Sequence, residues 1–292
     1  MKPFAVLLAS ALLATLPLAA QTPVDPKSPI PGYPDGRGPK GPVTVKIVSP
    51  TADEVIPWPA AVEGQPAPKG ARVEVKVTVE NFETFKDEVT GRGQHVQLVL
   101  DGRALPDWFQ TDKPWIFPAM PRGTHTLLAF VQRPWEEAIR ESGAFAAVTF
   151  HVAEKSGKPA FDIAQPAVSL GGPRGKFKKA EATKMLFDVY VTGCKVGPAT
   201  DPEACQIVYR LNQNPQQTLT AWAPAVWENV PVGKHSYVVA LYRGEKRIEA
   251  PFALAQGAFE VADEAAAPAA PPAAPAAPAP PAPPAAQAPP AG

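Results

Sequence analysis

Five short stretches recur in the same order in the two halves of this chain, and such a repeat limits the fold more than composition does. IVSP at Ile47–Pro50 pairs with IAQP at Ile163–Pro166, and EVKVTVENF at Glu74–Phe82 with LFDVYVTGC at Leu186–Cys194. Trp115 pairs with Trp227, PRGTH at Pro121–His125 with PVGKH at Pro231–His235, and the closing VTFHV at Val148–Val152 with GAFEV at Gly257–Val261. Ordered recurrence of this kind marks an internal duplication, with one copy at 43–153 and the other at 160–262. The ~220 residues between the ends suffice for two domains that each bury a core. The junction AEKSGKP, Ala153–Pro159, is short and polar, which predicts that each copy folds on its own.

Each copy reads as strands. In RVEVKVTVE, Val73, Val75, Val77 and Val79 alternate with Arg72, Glu74, Lys76, Thr78 and Glu80. That period of two places the valines on one face, whereas helical spacing would scatter them around the axis. QHVQLVLDG follows, with Val96, Leu98 and Leu100 on one face and Asp101-Gly102 as a hairpin turn. About seven short strands per copy, separated by turn-rich segments, predict an all-β protein of two tandem β-sandwiches.

PRGTH and PVGKH carry the finer assignment. A proline, a glycine two residues on, a ring two further and alternating apolar residues after it resemble the corner and penultimate strand of fibronectin type III and related Ig-like domains. Pro121, Gly123, His125, Leu127, Ala129 and Val131 match in the first copy, and Pro231, Gly233, His235, Tyr237, Val239 and Leu241 in the second. In that family a tyrosine commonly holds the ring position; here it is histidine. The phrase is also similar to those of bacterial extracytoplasmic Ig-like domains. His125 and His235 share the parity of the core-facing residues after them, at a strand entrance where an imidazole N–H can satisfy a loop carbonyl. They are expected to be structural corners, not catalysts.

The ends give an address. Lys2 precedes an apolar run that closes on Ala19 and Ala20, so residues 1–20 read as a secretory signal peptide and the mature chain is expected outside the cytoplasm, periplasmic or extracellular, with no membrane segment left. Residues 21–42 are rich in proline and glycine without apolar periodicity, which predicts an extended linker. From 265 to 292 only Ala, Pro, one Gln and one Gly occur, predicting a disordered, polyproline-like spacer of up to roughly 85 Å at about 3.1 Å per residue.

Little in the sequence points to catalysis. No nucleophile elbow, HExxH or phosphate-binding glycine loop occurs, so no enzyme and no cofactor is expected. The 28 basic and 28 acidic residues balance, which argues against a nucleic-acid partner. Cys194 and Cys205, the two cysteines, flank one inter-strand loop, and in an exported chain that predicts a disulfide. A metal site gathered from His95, His125 and His151 across the first sandwich is the rival chemistry, although no HxH pair supports it. Loop aromatics are the better binding lead: Trp108 and Phe109 in LPDWFQ and Trp135 in RPWEEA could stack on sugars or anchor a protein, while Trp115 and Trp227 are expected to fold inward. PRGKFKKAEATK, Pro173–Lys184, carries five basic residues and reads as a solvated loop and strand edge, or as a contact for an anionic envelope polymer. The resulting expectation is an exported, non-enzymatic binding or spacer module of the bacterial envelope with an envelope protein or polysaccharide as partner; the alternatives are a carbohydrate-binding accessory protein and a periplasmic metal-binding protein.

Overall fold

A computed structural model describes residues 37–88 and 91–263. The signal peptide at 1–20, most of the linker at 21–42 and the Ala/Pro-rich tail at 265–292 lie outside the described residues.

The first half contains β1 (Thr44–Ser49), β2 (Val55–Ile56), β3 (Ala71–Glu80), β4 (His95–Leu100), β5 (Arg103–Ala104), β6 (Trp115–Met120), β7 (Gly123–Gln132) and β8 (Phe145–Val152). The second contains β9 (Ala167–Gly172), β10 (Gly175–Lys178), β11 (Lys184–Thr192), β12 (Gln206–Leu211), β13 (Gln217–Leu219), β14 (Ala225–Glu228), β15 (Gly233–Arg243), β16 (Lys246–Arg247) and β17 (Leu254–Ala262). Among the described residues the only helical element is one turn of 3-10 helix, Glu181–Thr183.

Each half packs a three-stranded sheet on a larger one, in the same order. β1-β3-β6 faces β2-β8-β7-β4-β5, and β9-β11-β14 faces β10-β17-β15-β12-β13, with β16 added beside β15. In both halves the first strand is divided between the sheets. β1 runs antiparallel to β3 while β2 runs parallel to β8, and β9 and β10 repeat this against β11 and β17. A cis proline stands at each switch, Pro50 and Pro173. Strand order therefore matches Pro50 to Pro173 and corrects the pairing of IVSP with IAQP: Ile163 and Pro166 precede β9 and belong to the connection between the halves.

The alternation in β3 has its expected effect. Ala71, Val73, Val75 and Val77 are buried in the first core, and the intervening side chains reach water. In the second core Phe187, Tyr209, Trp227, Tyr237 and Phe259 pack ring on ring, with Phe187 4.7 Å from Tyr209 and 4.8 Å from Trp227. Each aromatic pair adds about 0.5–1.5 kcal/mol beyond the area it buries. Asp101 and Gly102, both at positive φ, close the two-residue turn between β4 and β5.

Beyond the short polar junction AEKSGKP, the two halves meet through an apolar face. In β7, Leu127, Ala129 and Val131 enter the first core, but the opposite face carries Leu128 and Phe130, which are also buried. They meet the outer face of β11, where Tyr190 stacks on Phe130 at 4.5 Å and on Phe145 at 5.0 Å. Trp222 packs edge-on to Tyr190 at 4.9 Å, and Phe161 from the connection packs on Phe252. The run LLAFV is continuously apolar because its strand is covered on both sides, by its own sandwich and by its neighbour. Two glycines mark how close the approach is. A Cβ on Gly102 would meet the Phe252 ring at 2.2 Å, and one on Gly172 would meet the Glu136 Cβ at 2.6 Å.

Polar groups complete this seam. Asp188, 2% exposed, accepts a hydrogen bond from the Ala138 amide at 2.8 Å and pairs with Arg140. Burial pushes its carboxyl up to about 6 even with the guanidinium beside it. Gln132 donates to the Gly171 carbonyl at 3.1 Å, again across the join.

Candidate functional site

The two histidines sit at the entrances of β7 and β15 in matching settings with one difference. His125 Nε2 donates to the Pro121 carbonyl at 3.1 Å, and His235 Nε2 to the Pro231 carbonyl at 2.8 Å. Each ring lies on a phenylalanine of the neighbouring strand, Phe150 and Phe259. At the other nitrogen they diverge. His125 Nδ1 is 2.7 Å from Asp101 Oδ2, whereas His235 Nδ1 is 2.9 Å from Asn212 Nδ2. Asp101 and Asn212 both hold positive φ, and each uses its Oδ1 to accept a backbone amide, from Thr126 and Ser236. That amide fixes which end of Asn212 faces the ring, so His235 Nδ1 accepts and the ring is neutral. A carboxylate can only accept, so His125 donates from both nitrogens as an imidazolium. The hydrogen bond to Asp101 is the main cause that holds its pKa above the ordinary 6.5, against the opposing effect of burial.

Cys194 and Cys205 form a disulfide that closes the loop between β11 and β12. Its bridge lies at the margin of the second core, where Cys205 is buried.

His95, His125 and His151 do not converge on a metal. His95 pairs across the sheet with Gln132, at the far end of β7 from His125, about 23 Å away at roughly 3.3 Å per residue. His151 is taken by Asp53 at 2.8 Å and by the Thr124 hydroxyl at 2.9 Å. The three-histidine metal set is therefore ruled out by strand register.

The loop aromatics are redistributed. Trp108, 5% exposed, is part of the first core and donates its indole N–H to the Gln110 carbonyl, leaving a small part of its ring on the wall of the cleft that Phe109 and Trp115 also line. Trp115 packs edge-on to it at 6.1 Å and remains half-buried, although its strand counterpart Trp227 is fully enclosed. Phe109 is half-buried beside His95, with the Lys86 ammonium 5.7 Å from its ring. Phe85, Phe109 and Trp115 line an open cleft of about 1050 Å³ at one end of the first sandwich, together with Asp112, Lys113 and Gln110. Trp135 donates to Glu137 and lies half-buried beside the seam, facing a small cleft shared with Pro173, Phe177 and Met185.

A charged cluster that sequence reading misses lies beside the seam. His95, Asp107 and Glu136, from the start of β4, the β5–β6 loop and the β7–β8 loop, bring one nitrogen and two carboxylate oxygens within 4.8 Å of one another. Arg174 from the second half reaches Asp107 at 2.7 Å and Glu136 at 3.2 Å. Burial is the main cause that pushes the Glu136 carboxyl up, opposed in part by His95 and Arg174. Arg92 lies over the Phe177 ring at 3.8 Å and donates to the Lys176 carbonyl, so much of the basic segment PRGKFKKAEATK is strand edge and seam.

The fold is an Ig-like β-sandwich, present twice. No protein-family model matches the sequence, and no curated protein matches it. Among solved structures, fibronectin(III)-like modules of Clostridium thermocellum CbhA are 12% identical with a TM-score of 0.25, over 75% of this chain and 95% of that one. The Bacteroides ovatus SGBP-B protein, solved with a mixed-linkage heptasaccharide, is 9% identical with a TM-score of 0.21, over 75% and 70%. The human desmocollin-1 ectodomain is 10% identical with a TM-score of 0.23, over 77% and 42%. At these scores the likenesses carry no argument about ligand or role, and the sandwich assignment rests on strand order. No helix among the described residues is long and apolar enough to cross a membrane.

Proposed function

We propose that this chain is an exported, non-enzymatic binding or spacer module of the bacterial envelope, in which two duplicated Ig-like sandwiches act as one body. The aromatic seam carries the reading: a buried, ring-stacked join holds two sandwiches in one relative orientation, which suits a part that sets distance or presents a surface. The disulfide fits an oxidising compartment. His125 and His235 are read as corners, since each has both ring nitrogens engaged by its own strand entrance and preceding turn. Fractionation with thiol labelling tests the address. Oxidised Cys194 and Cys205 in protein recovered outside the cytoplasm supports it, and cytoplasmic protein with two free thiols overturns it.

Polysaccharide binding is a second reading, favoured by the open cleft with Phe109 and Trp115 among polar side chains. Rings in such a setting stack on sugar faces while charged and amide groups take the hydroxyls. Titration with envelope and plant glycans, followed by tryptophan fluorescence, tests it: a saturable change lost in Trp115→Ala supports it, and no response to any glycan rejects it.

A further inference from the structure

His95 is in an unusual electrostatic position. Its ring is 1% exposed, and Nδ1 lies 2.9 Å from the Gly93 carbonyl, an acceptor, so Nδ1 carries a proton. Nε2 is buried with no hydrogen-bond partner, and Asp107 Oδ1 lies 3.6 Å from it. In the neutral ring this aims a lone pair at a carboxylate, and two acceptors face each other across a gap that suits a cation. Glu136 supplies a third donor from the β7–β8 loop, held at a left-handed φ of 67° and almost fully buried. A ring nitrogen whose other N–H is anchored on a backbone carbonyl is the usual arrangement of a metal-ligating histidine.

We propose that His95 Nε2, Asp107 and Glu136 form a binding site for a divalent transition ion of the zinc type, in competition with Arg174. One nitrogen and two carboxylates suit zinc better than calcium or magnesium, which take oxygen alone. Ligand bonds of about 2.0–2.2 Å require donors roughly 3.4 Å apart, so the present spread of up to 4.8 Å closes by side-chain rotation of the half-exposed Asp107. Arg174 now performs the neutralising task, with one nitrogen between both carboxylates. Its side chain is 26% exposed at the rim of a cleft of about 380 Å³, so it can swing to solvent and leave an entry path. All three donors belong to the first sandwich and Arg174 to the second, which makes metal loading an exchange of two cross-seam ion pairs of Arg174 for a metal.

The test uses the full mature chain, stripped with chelator and titrated with zinc chloride by calorimetry. One ion per chain is expected, bound about tenfold more tightly in Arg174→Gln, because the cation shared by both carboxylates is gone while Arg92 at 3.7 Å from Glu136 remains, and about tenfold more weakly in Asp107→Asn. On the unmutated chain, zinc is expected to shift the imidazole 15N resonances of His95 and leave those of His125, His151 and His235 in place, a readout that needs no variant to fold. Absence of zinc binding, an Arg174→Gln affinity no higher than that of the unmutated chain, or zinc shifts at another histidine would each overturn the proposal.

Discussion

Asp101 Oδ2 lies 2.7 Å from His125 Nδ1, and its other oxygen accepts the amide of Thr126, so one carboxylate fixes both the ring and the strand that carries it. Asn212 does the same for His235 with an amide in place of the acid. One exchange of oxygen for NH2 thus separates a charged corner from a neutral one. The fold binds the His125 proton more tightly than the unfolded chain does, so this stabilisation is complete below about 6.5 and is lost as pH rises through the higher folded value. In Asp101→Asn the ring is expected to become neutral like its counterpart, and the fall in melting temperature above neutral pH should flatten. An unchanged pH profile in that variant would remove the imidazolium from the account.

Truncating either corner leaves acceptors or donors unpaired and opens a gap. His125→Ala and His235→Ala are each expected to cost about 1–3 kcal/mol by denaturant unfolding. His125→Tyr keeps a donor for the Pro121 carbonyl but forfeits the Asp101 contact, so it should recover part of that loss only. Wild-type stability in either alanine variant would argue against a structural corner.

At the seam, Asp188→Ala leaves Arg140 and the Ala138 amide facing a buried void, and a loss of about 3–5 kcal/mol is expected. The sign with pH follows from burial. Because the folded carboxyl titrates near 6, above its ordinary 3.8, the contribution of Asp188 is fullest at acid pH, weakens as pH rises to about 6 and is constant beyond. The difference in stability between wild type and Asp188→Asn, measured from pH 4 to 8, should trace that curve.

Reduction of the Cys194–Cys205 bond releases a loop between β11 and β12 and should cost about 3 kcal/mol by the chain-entropy estimate, read as the drop in unfolding free energy on adding reductant. A negligible drop would mean that the loop stays ordered without its bridge.

How far the sequence reaches is clear from particular residues. Val73, Val75 and Val77 announce a half-buried strand because one face of β3 meets water, and Cys194 with Cys205 announces a loop closure because both lie at strand ends. The seam was hidden in the same kind of data. Leu128 and Phe130 stand on the parity assigned to solvent, and the unbroken run LLAFV was the signal that this face is covered too. Trp108 is the more buried of the pair and Trp115 the less, because a loop tryptophan can turn inward while a strand tryptophan at a sheet end stays half-open, a choice set by packing and not by spacing. The His95, Asp107 and Glu136 cluster depends on two loops meeting beside a strand start, and no linear motif encodes such a meeting.

A buried aromatic seam requires the two sandwiches to move as one body. Residual dipolar couplings measured on the amides of residues 43–153 and 160–262 of the full chain in one alignment medium test this directly. A single alignment tensor, with the relative orientation set by the stacking of Tyr190 between Phe130 and Phe145, is the expected result. Two tensors of different magnitude, one for each half, would show independent motion and contradict it.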